Sequence, residues 1–317
     1  MPESLKTARD YIHWGAELFA QAGLVFGHGT DNALDEAASL VLFALDIDYE
    51  QPDAVLDNAL EPGAGLRVRE LLERRVSTGK PAAYLTHVGW FAGLPFYVDE
   101  RVLVPRSPIA ELIRAQFSPW IDPGRVLQVL DLATGCGCIG IACACAFPDA
   151  RVDVSDVSAD ALDVVRENII RHKLAGRVRA LAADVFATLP VQAYDIIVSN
   201  PPYVPLAEVQ RLPQEYRHEP AAGLAAGADG LDIVVRILAG AADYIAENGI
   251  LVVEVGLSQA ALVALFPRVP FLWLEFEHGG EGVFLLDAAQ LQAYREEFRD
   301  VARRRPDPKT ATMKVKP

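Results

Sequence analysis

The stretch "VLQVLDLATGCGCIGIACACAF", Val126–Phe147, constrains the fold of this chain more than any other. An apolar run ends at Leu132, a loop carrying Gly135 and Gly137 follows, and an almost wholly apolar segment begins at Cys138. Strand, glycine turn and buried helix, in that order, read as the opening unit of a parallel sheet covered on both faces. Gly135 and Gly137 let the backbone approach a ligand closely, and Gly140 lets the helix pack near the strand. The pattern then repeats. Strand candidates Val126–Leu132, Arg151–Ser155, Val178–Ala182, Tyr194–Ser199 and Ile250–Val255 alternate with helical stretches. "FLWLEFEHGGEGVFLLDA" reads as two further strands joined at Gly279-Gly280. The expectation is an α/β fold: a doubly wound, mostly parallel seven-stranded sheet ending in an antiparallel hairpin. Ordinary nicotinamide-binding domains do not need that hairpin.

Upstream the period is different. Residues 1–85 read as a small helical domain. In "TDNALDEAASLVLFALDI", Leu34, Ala37, Ala38, Val41, Ala44 and Leu45 recur at helical spacing behind a Thr30 or Asp31 cap. Leu40, Leu42 and Phe43 make the opposite face apolar too, which predicts a helix buried in a bundle. "VRELLERRVSTGKP" reads as the last helix, stopped by Gly79 and Pro81. "AYLTHVGWFAGLPFYVDERVLVPRSP" alternates around Gly93, so residues 86–106 are expected to form a β-hairpin linker. The sheet domain then spans 107–302, and the basic, proline-containing residues 303–317 read as a disordered tail.

Composition narrows the function. The chain has 317 residues, 51% of them hydrophobic, and a formal net charge of −14. An acidic protein suits a basic protein partner better than nucleic acid phosphates. No amino-terminal signal and no membrane-length apolar run is evident, so a cytoplasmic location without membrane contact is expected. The cysteines Cys136, Cys138, Cys143 and Cys145 lie close together in sequence. Zinc is one reading, but a pair flanking a loop glycine and a pair inside the next helix would diverge, so no metal is expected.

Four features fall at the carboxyl ends of successive strands, where open α/β sheets hold ligands. Gly135, Gly137 and Gly140 spell GxGxxG, Asp156 closes "RVDVSD", and Asp184 follows "VRALAA" with Phe186 close by. Asp156 is placed to accept from a ribose diol and Asp184 from an adenine exocyclic amine, although a helix or turn cap explains Asp184 alone nearly as well. The fourth is "DIIVSNPPYVP". Two prolines cannot continue a sheet ladder, so Pro201 and Pro202 form a stiff turn that fixes Asn200 relative to Tyr203. Hydrogen-bond acceptors on such a turn, the Asn200 side chain and the Pro201 carbonyl, suit a planar amide nitrogen that gains positive charge as it reacts. Tyr203 could lie against that amide and exclude water. His218 is not given a role beyond a surface or capping one.

"DLATGCGCIGI", "SDVSADAL", "ADVF" and "VSNPPYVP", with "HEPAAGLAAGADGLD" and "GILVVEVG" downstream, resemble the HemK/PrmB-type protein glutamine N(5)-methyltransferases, over nearly the whole chain. "YVDERVLVPRSPIAELI" is similar to the branch acting on the large-subunit ribosomal protein L-three; the release-factor branch differs where this chain has Ser107-Pro108. The resemblance implies a class I S-adenosylmethionine-dependent methyltransferase fold with a substrate-recognising helical amino-terminal domain. It also implies S-adenosylmethionine held by Asp131, Thr134, Gly135, Gly137, Asp156, Val157, Asp184, Val185 and Asn200. Asn200, Pro201, Pro202 and Tyr203 would take the substrate, with Asn200, Pro201 and Tyr203 catalytic. The expected partner is the basic protein L-three, alone or in a ribosome assembly intermediate. The alternatives are methylation of a release factor on its Gly-Gly-Gln loop, or of an exocyclic amine of adenine or cytosine. A nucleic acid enzyme would need base flipping and a basic surface, which the acidic composition argues against.

Overall fold

The computed structural model describes residues 5–48 and 55–305. Nine strands occur among them: β1 (Val88–Phe91), β2 (Leu94–Tyr97), β3 (Gln128–Leu132), β4 (Arg151–Asp156), β5 (Val178–Ala182), β6 (Tyr194–Ser199), β7 (Ile245–Glu254), β8 (Leu272–Trp273) and β9 (Val283–Asp287). The seven from β3 onward form one sheet in the order β5-β4-β3-β6-β7-β9-β8. β3 to β7 run parallel, whereas β9 is antiparallel to both β7 and β8. Successive strand residues point to opposite faces, so each apolar run feeds two cores. Val129, Ile196, Val198, Ile250 and Val252 enter one core, and Leu130, Ile197, Leu251 and Val253 the other. Helices Ile109–Arg114, Cys138–Ala146 and Ala159–Arg171 cover the first face. Asp232–Ala241, Gln259–Leu265, Ala288–Ala293 and Arg295–Arg304 cover the second.

The chain winds outward from β3 through β4 to β5 and then returns to the other side of β3 as β6. That reversal opens a crevice at the carboxyl ends of β3 and β6. Gly140 shows why the first helix can lie so near its strand. A Cβ there would stand 2.2 Å from Val154 Cγ1, so only glycine fits. The terminal hairpin is looser than the sequence predicts: Gly279 and Gly280 lie within a longer connection, 274–282, not in a two-residue turn.

The amino-terminal unit packs helices Ala8–Gln21, Ala33–Leu45, Ala64–Thr78 and Ala82–Thr86 around Phe19, Leu40, Val41 and Leu72. Three local expectations are corrected. Asn32, not Thr30 or Asp31, caps the second helix, accepting from the Asp35 N–H at 3.0 Å. Thr30 is diverted instead, donating its hydroxyl to Glu36 at 3.0 Å. Leu34 and Phe43 are exposed, so that helix is not buried all round. The helix expected to be the last of this unit is followed by one more, Ala82–Thr86, because Pro81 opens a turn of helix before β1. The β1–β2 turn itself is as expected for a tight hairpin, with Ala92 and Gly93 both at positive φ.

At the other end, Arg303 and Arg304 finish the last helix, and Arg305 is ion-paired to Asp229 and Asp232. The tail expected from residue 303 is therefore ordered as far as 305, held by two carboxylates; its remainder, 306–317, lies outside the described residues. So do residues 49–54 of the acidic stretch that follows the second helix.

Candidate active site

The carboxyl ends of β3, β4, β5 and β6 open into one cavity of about 390 Å³. Thr134, Gly135, Asp156, Val157, Asp184, Val185, Asn200, Pro201, Pro202 and Tyr203 all line it. Asp131 and Gly137 do not. Asp131 is fully buried behind the loop, where Oδ2 accepts from the Thr134 hydroxyl and from the Gly140 N–H at 2.9 Å. The carboxylate shapes the loop from behind. Burial pushes its pKa up to about 7, and Oδ1 has no hydrogen-bond partner. Gly137 sits at φ +85 as the first residue before the helix, with Ile141 and Val165 beside its α-carbon.

Asp156 accepts the Gly135 N–H at 3.0 Å and the Ser158 N–H at 2.9 Å, so the same carboxylate orders the glycine loop and the turn after β4. Its pKa is raised because burial outweighs those two bonds. Asp184 Oδ1 accepts from Arg236 Nη2 at 2.8 Å, a partner that the sequence did not suggest. Val185 next to it has φ +57, a costly conformation for a β-branched residue, found where a site imposes backbone geometry. Phe186 turns away into the core and stacks on Tyr244 with ring centroids 4.7 Å apart. Cys136 and Cys138 lie in the cavity wall, Cys143 is buried in the core and Cys145 is exposed. No cluster of metal-ligating side chains occurs among the described residues.

The Asn-Pro-Pro-Tyr turn begins where Ser199 Oγ donates to the Leu132 carbonyl at 2.7 Å, joining β6 to β3. The Asn200 side chain makes no hydrogen bond to other described residues and borders the cavity. Tyr203, by contrast, is held at several points. Its hydroxyl donates to Glu254 at 2.8 Å, and its carbonyl accepts from Ser258 Oγ at 2.9 Å. Two glycines make room for it. A Cβ on Gly230 would lie 2.1 Å from the Tyr203 oxygen, and one on Gly256 would lie 2.7 Å from its ring; both have positive φ. The other oxygen of Glu254 accepts from Ser107 Oγ at 2.6 Å. Burial raises the pKa of both Glu254 and Tyr203, so the phenol keeps its proton and remains a donor.

Sequence reasoning missed the wall supplied by residues 101–107 and by the segment after the tyrosine. Arg106 forms a two-pronged bond to Glu219 at 2.5 and 2.6 Å. Buried Asn168 ties the β-hairpin to the glycine loop: its amide donates to the Tyr97 carbonyl at 3.0 Å and to the Cys136 carbonyl at 2.9 Å. These partners are far apart in sequence, and no local spacing announces them. His218 closes a short 3-10 helix, half-buried, with Nε2 lacking a hydrogen-bond partner.

Comparison with known proteins agrees with this geometry. Residues 120–215 match the family described as Methyltransferase small domain. Ribosomal protein uL3 glutamine methyltransferase of Francisella tularensis is 46% identical over 93% of this chain and 95% of its own length. The enzyme of the same name from Xylella fastidiosa is 48% identical over 96% of this chain and 97% of its own. The chain belongs to the uL3 glutamine methyltransferase family. Members of this family are methyltransferases, so the cavity is that of a methyl-transferring enzyme, and the fold is of the class I type.

Proposed function

We propose that this enzyme transfers a methyl group from S-adenosylmethionine to the side-chain amide nitrogen of a glutamine in ribosomal protein uL3. The observation that carries the reading is the junction of three features in one cavity: the glycine loop, Asp156 and the Asn-Pro-Pro-Tyr turn. The relatives' names point to the same acceptor. The residues fit the donor. Thr134 and Gly135 offer backbone at close range, Asp156 and Asp184 offer carboxylates for a ribose diol and an adenine amine, and Val157 and Val185 offer apolar cover. S-adenosylmethionine, when bound, supplies an electrophilic methyl on a sulfonium.

The acceptor side must solve a separate problem. A glutamine amide nitrogen is a weak nucleophile, because its lone pair is delocalised into the carbonyl. The Asn200 side-chain oxygen and the Pro201 carbonyl would accept the two amide N–H bonds, orienting the nitrogen and stabilising the positive charge that develops on it. Pro201 and Pro202 stiffen the turn, so these acceptors need no rearrangement. Tyr203, fixed through Glu254, Ser258 and Gly256, forms a wall that keeps water from the amide. The protonated product nitrogen is acidic enough to lose its proton to water, so no general base is required. An acidic chain suits a lysine- and arginine-rich ribosomal protein in the cytoplasm. No helix of the described residues is long and apolar enough to cross a membrane.

The test is a transfer assay with labelled S-adenosylmethionine, offering unmethylated uL3 and an unmethylated release factor side by side. Label on uL3 alone supports the reading. Label on the release factor instead overturns the acceptor, and label only on nucleic acid overturns the amide chemistry.

A further inference from the structure

Two segments that line the cavity beside the Asn-Pro-Pro-Tyr turn are joined by one buried carboxylate. Val104 and Arg106 belong to the first, the strap between β2 and the sheet domain. The second runs on from Val204, which exchanges backbone hydrogen bonds with Leu224 at 2.9 Å and Ala226 at 3.0 Å. Glu219 joins them. Its Oε1 accepts from the Val104 N–H at 3.0 Å and from Arg106 Nη1, and its Oε2 accepts from Arg106 Nη2 at 2.6 Å. The Arg106 guanidinium also lies over the Tyr216 ring, 5.4 Å from its centre.

The amino-terminal helical unit rests on the back of this same segment. The Val25 N–H donates to Glu215 at 2.8 Å, and a Cβ on Gly27 would stand 3.1 Å from the Tyr216 hydroxyl. His28 is buried with its ring 4.3 Å from that of Tyr216 and its Nε2 3.8 Å from Glu219. Neither ring nitrogen has a hydrogen-bond partner, so the imidazole packs here as a neutral plate.

We propose that Glu219 is a positioning residue for the methyl acceptor: it clamps residues 104–106 to the segment 215–219, and His28 extends the clamp to the amino-terminal unit. This rests on the amide-methylation reading given above. A buried ion pair is weak evidence for stability, since apolar residues of like volume often serve as well. A two-pronged arginine–carboxylate bond does something apolar residues cannot, because it fixes the angle as well as the distance between two segments. Both Glu219 oxygens are already occupied, so the group is not available as a base. Its effect on the reaction passes through the wall it holds and through the unit docked behind that wall.

The experiment compares the wild type with Glu219→Gln and with the double variant Arg106→Met/Glu219→Met. Readouts are acceptor KM, kcat, cofactor affinity, thermal midpoint and hydrogen exchange. In Glu219→Gln, acceptor KM should rise about tenfold, a loss of about 1.4 kcal/mol of uniform acceptor binding, while kcat and cofactor affinity change little. Exchange should quicken at residues 25–28 and 101–107 together. The double variant should regain thermal stability without regaining acceptor affinity; if Glu219→Gln fails to fold, this variant carries the test. Wild-type acceptor KM in folded Glu219→Gln overturns the proposal, as does recovery of KM together with stability in the double variant. Should the wild type label neither uL3 nor a release factor, the functional reading falls separately. Exchange then decides the clamp: faster at both segments supports it, unchanged overturns it.

Discussion

The two halves of the cavity are built by different means. On the side proposed for the donor, the loop after β3 and the turn after β4 are set by glycines and by carboxylates bonded to backbone, and the turn after β5 adds the Asp184–Arg236 pair. On the side proposed for the acceptor, only the Asn200–Pro202 part of the turn is stiffened by its own residues. Its surroundings are held by Arg106–Glu219, Ser107–Glu254 and Tyr203–Glu254, pairs brought together from remote parts of the chain. On the proposed reading, a ligand common to many enzymes is met mainly by glycines and backbone-bonded carboxylates, and a particular acceptor by long-range side-chain contacts. Loss of one acceptor-side group should damage turnover or acceptor affinity and spare the donor, and loss of a loop glycine should do the reverse.

The sharpest way to break this contrast is Asn200→Ala. It should lower methyl transfer by roughly a hundredfold or more, the size of losing one preorganised polar partner, with cofactor affinity nearly unchanged. Single-turnover transfer and equilibrium cofactor binding measured on the same preparation decide it. Near-wild-type transfer would remove Asn200 from the chemistry. Next in size is Gly230→Ala, where the new Cβ meets the Tyr203 carbonyl and the backbone holds φ +78. At least about 1 kcal/mol of stability should go, with turnover falling further than cofactor affinity. Its donor-side counterpart is Gly140→Ala, whose Cβ would meet Val154 Cγ1. Calorimetry should show cofactor affinity falling there in step with stability. An unchanged affinity would mean the helix can retreat without moving the loop.

The same division explains what could be read from sequence. β5 and β6 fall at their expected residues, β3 and β4 within two, and β7 starts five residues earlier, because short continuous apolar runs buried on both faces leave a strong local trace. The three acid or glycine positions of the donor side and the whole proline turn were legible because each is short and carries its own reason. That Asp131 lies behind the loop and not in the cavity wall was not legible, since spacing does not tell which way a buried carboxylate turns. Glu219 lay in view beside Pro220, yet its partner Arg106 belongs to a strap whose path only the folded chain defines. Asn32 displaced Thr30 as a cap for a similar reason: Thr30 had a tertiary claim from Glu36, itself held by Arg75.

The smallest effect is the most discriminating, because two buried groups, Asp131 under the glycine loop and His28 behind the 215–219 segment, are shifted with opposite signs. Burial raises Asp131 from about 4 to about 7, so the folded state holds a proton that the unfolded chain has already released in that interval. Its stabilisation is full below the unfolded value and is lost as pH rises through about 7. His28 moves the other way. Burial lowers it from 6.5 to about 4, with Glu219 opposing and Arg106 and Arg75 reinforcing the shift. The folded state then resists a proton that the unfolded chain accepts, so stability is full above about 6.5 and is lost as pH falls towards 4. Asp131→Asn keeps an acceptor for Thr134 and Gly140 and should flatten the neutral limb of a plot of thermal midpoint against pH. His28→Phe keeps a ring against Tyr216 and should flatten the acid limb alone. If either substitution alters both limbs, the two halves share one titrating network and the division drawn here fails. If His28→Phe also leaves acceptor KM unchanged, the amino-terminal unit is packed against the wall without tuning it.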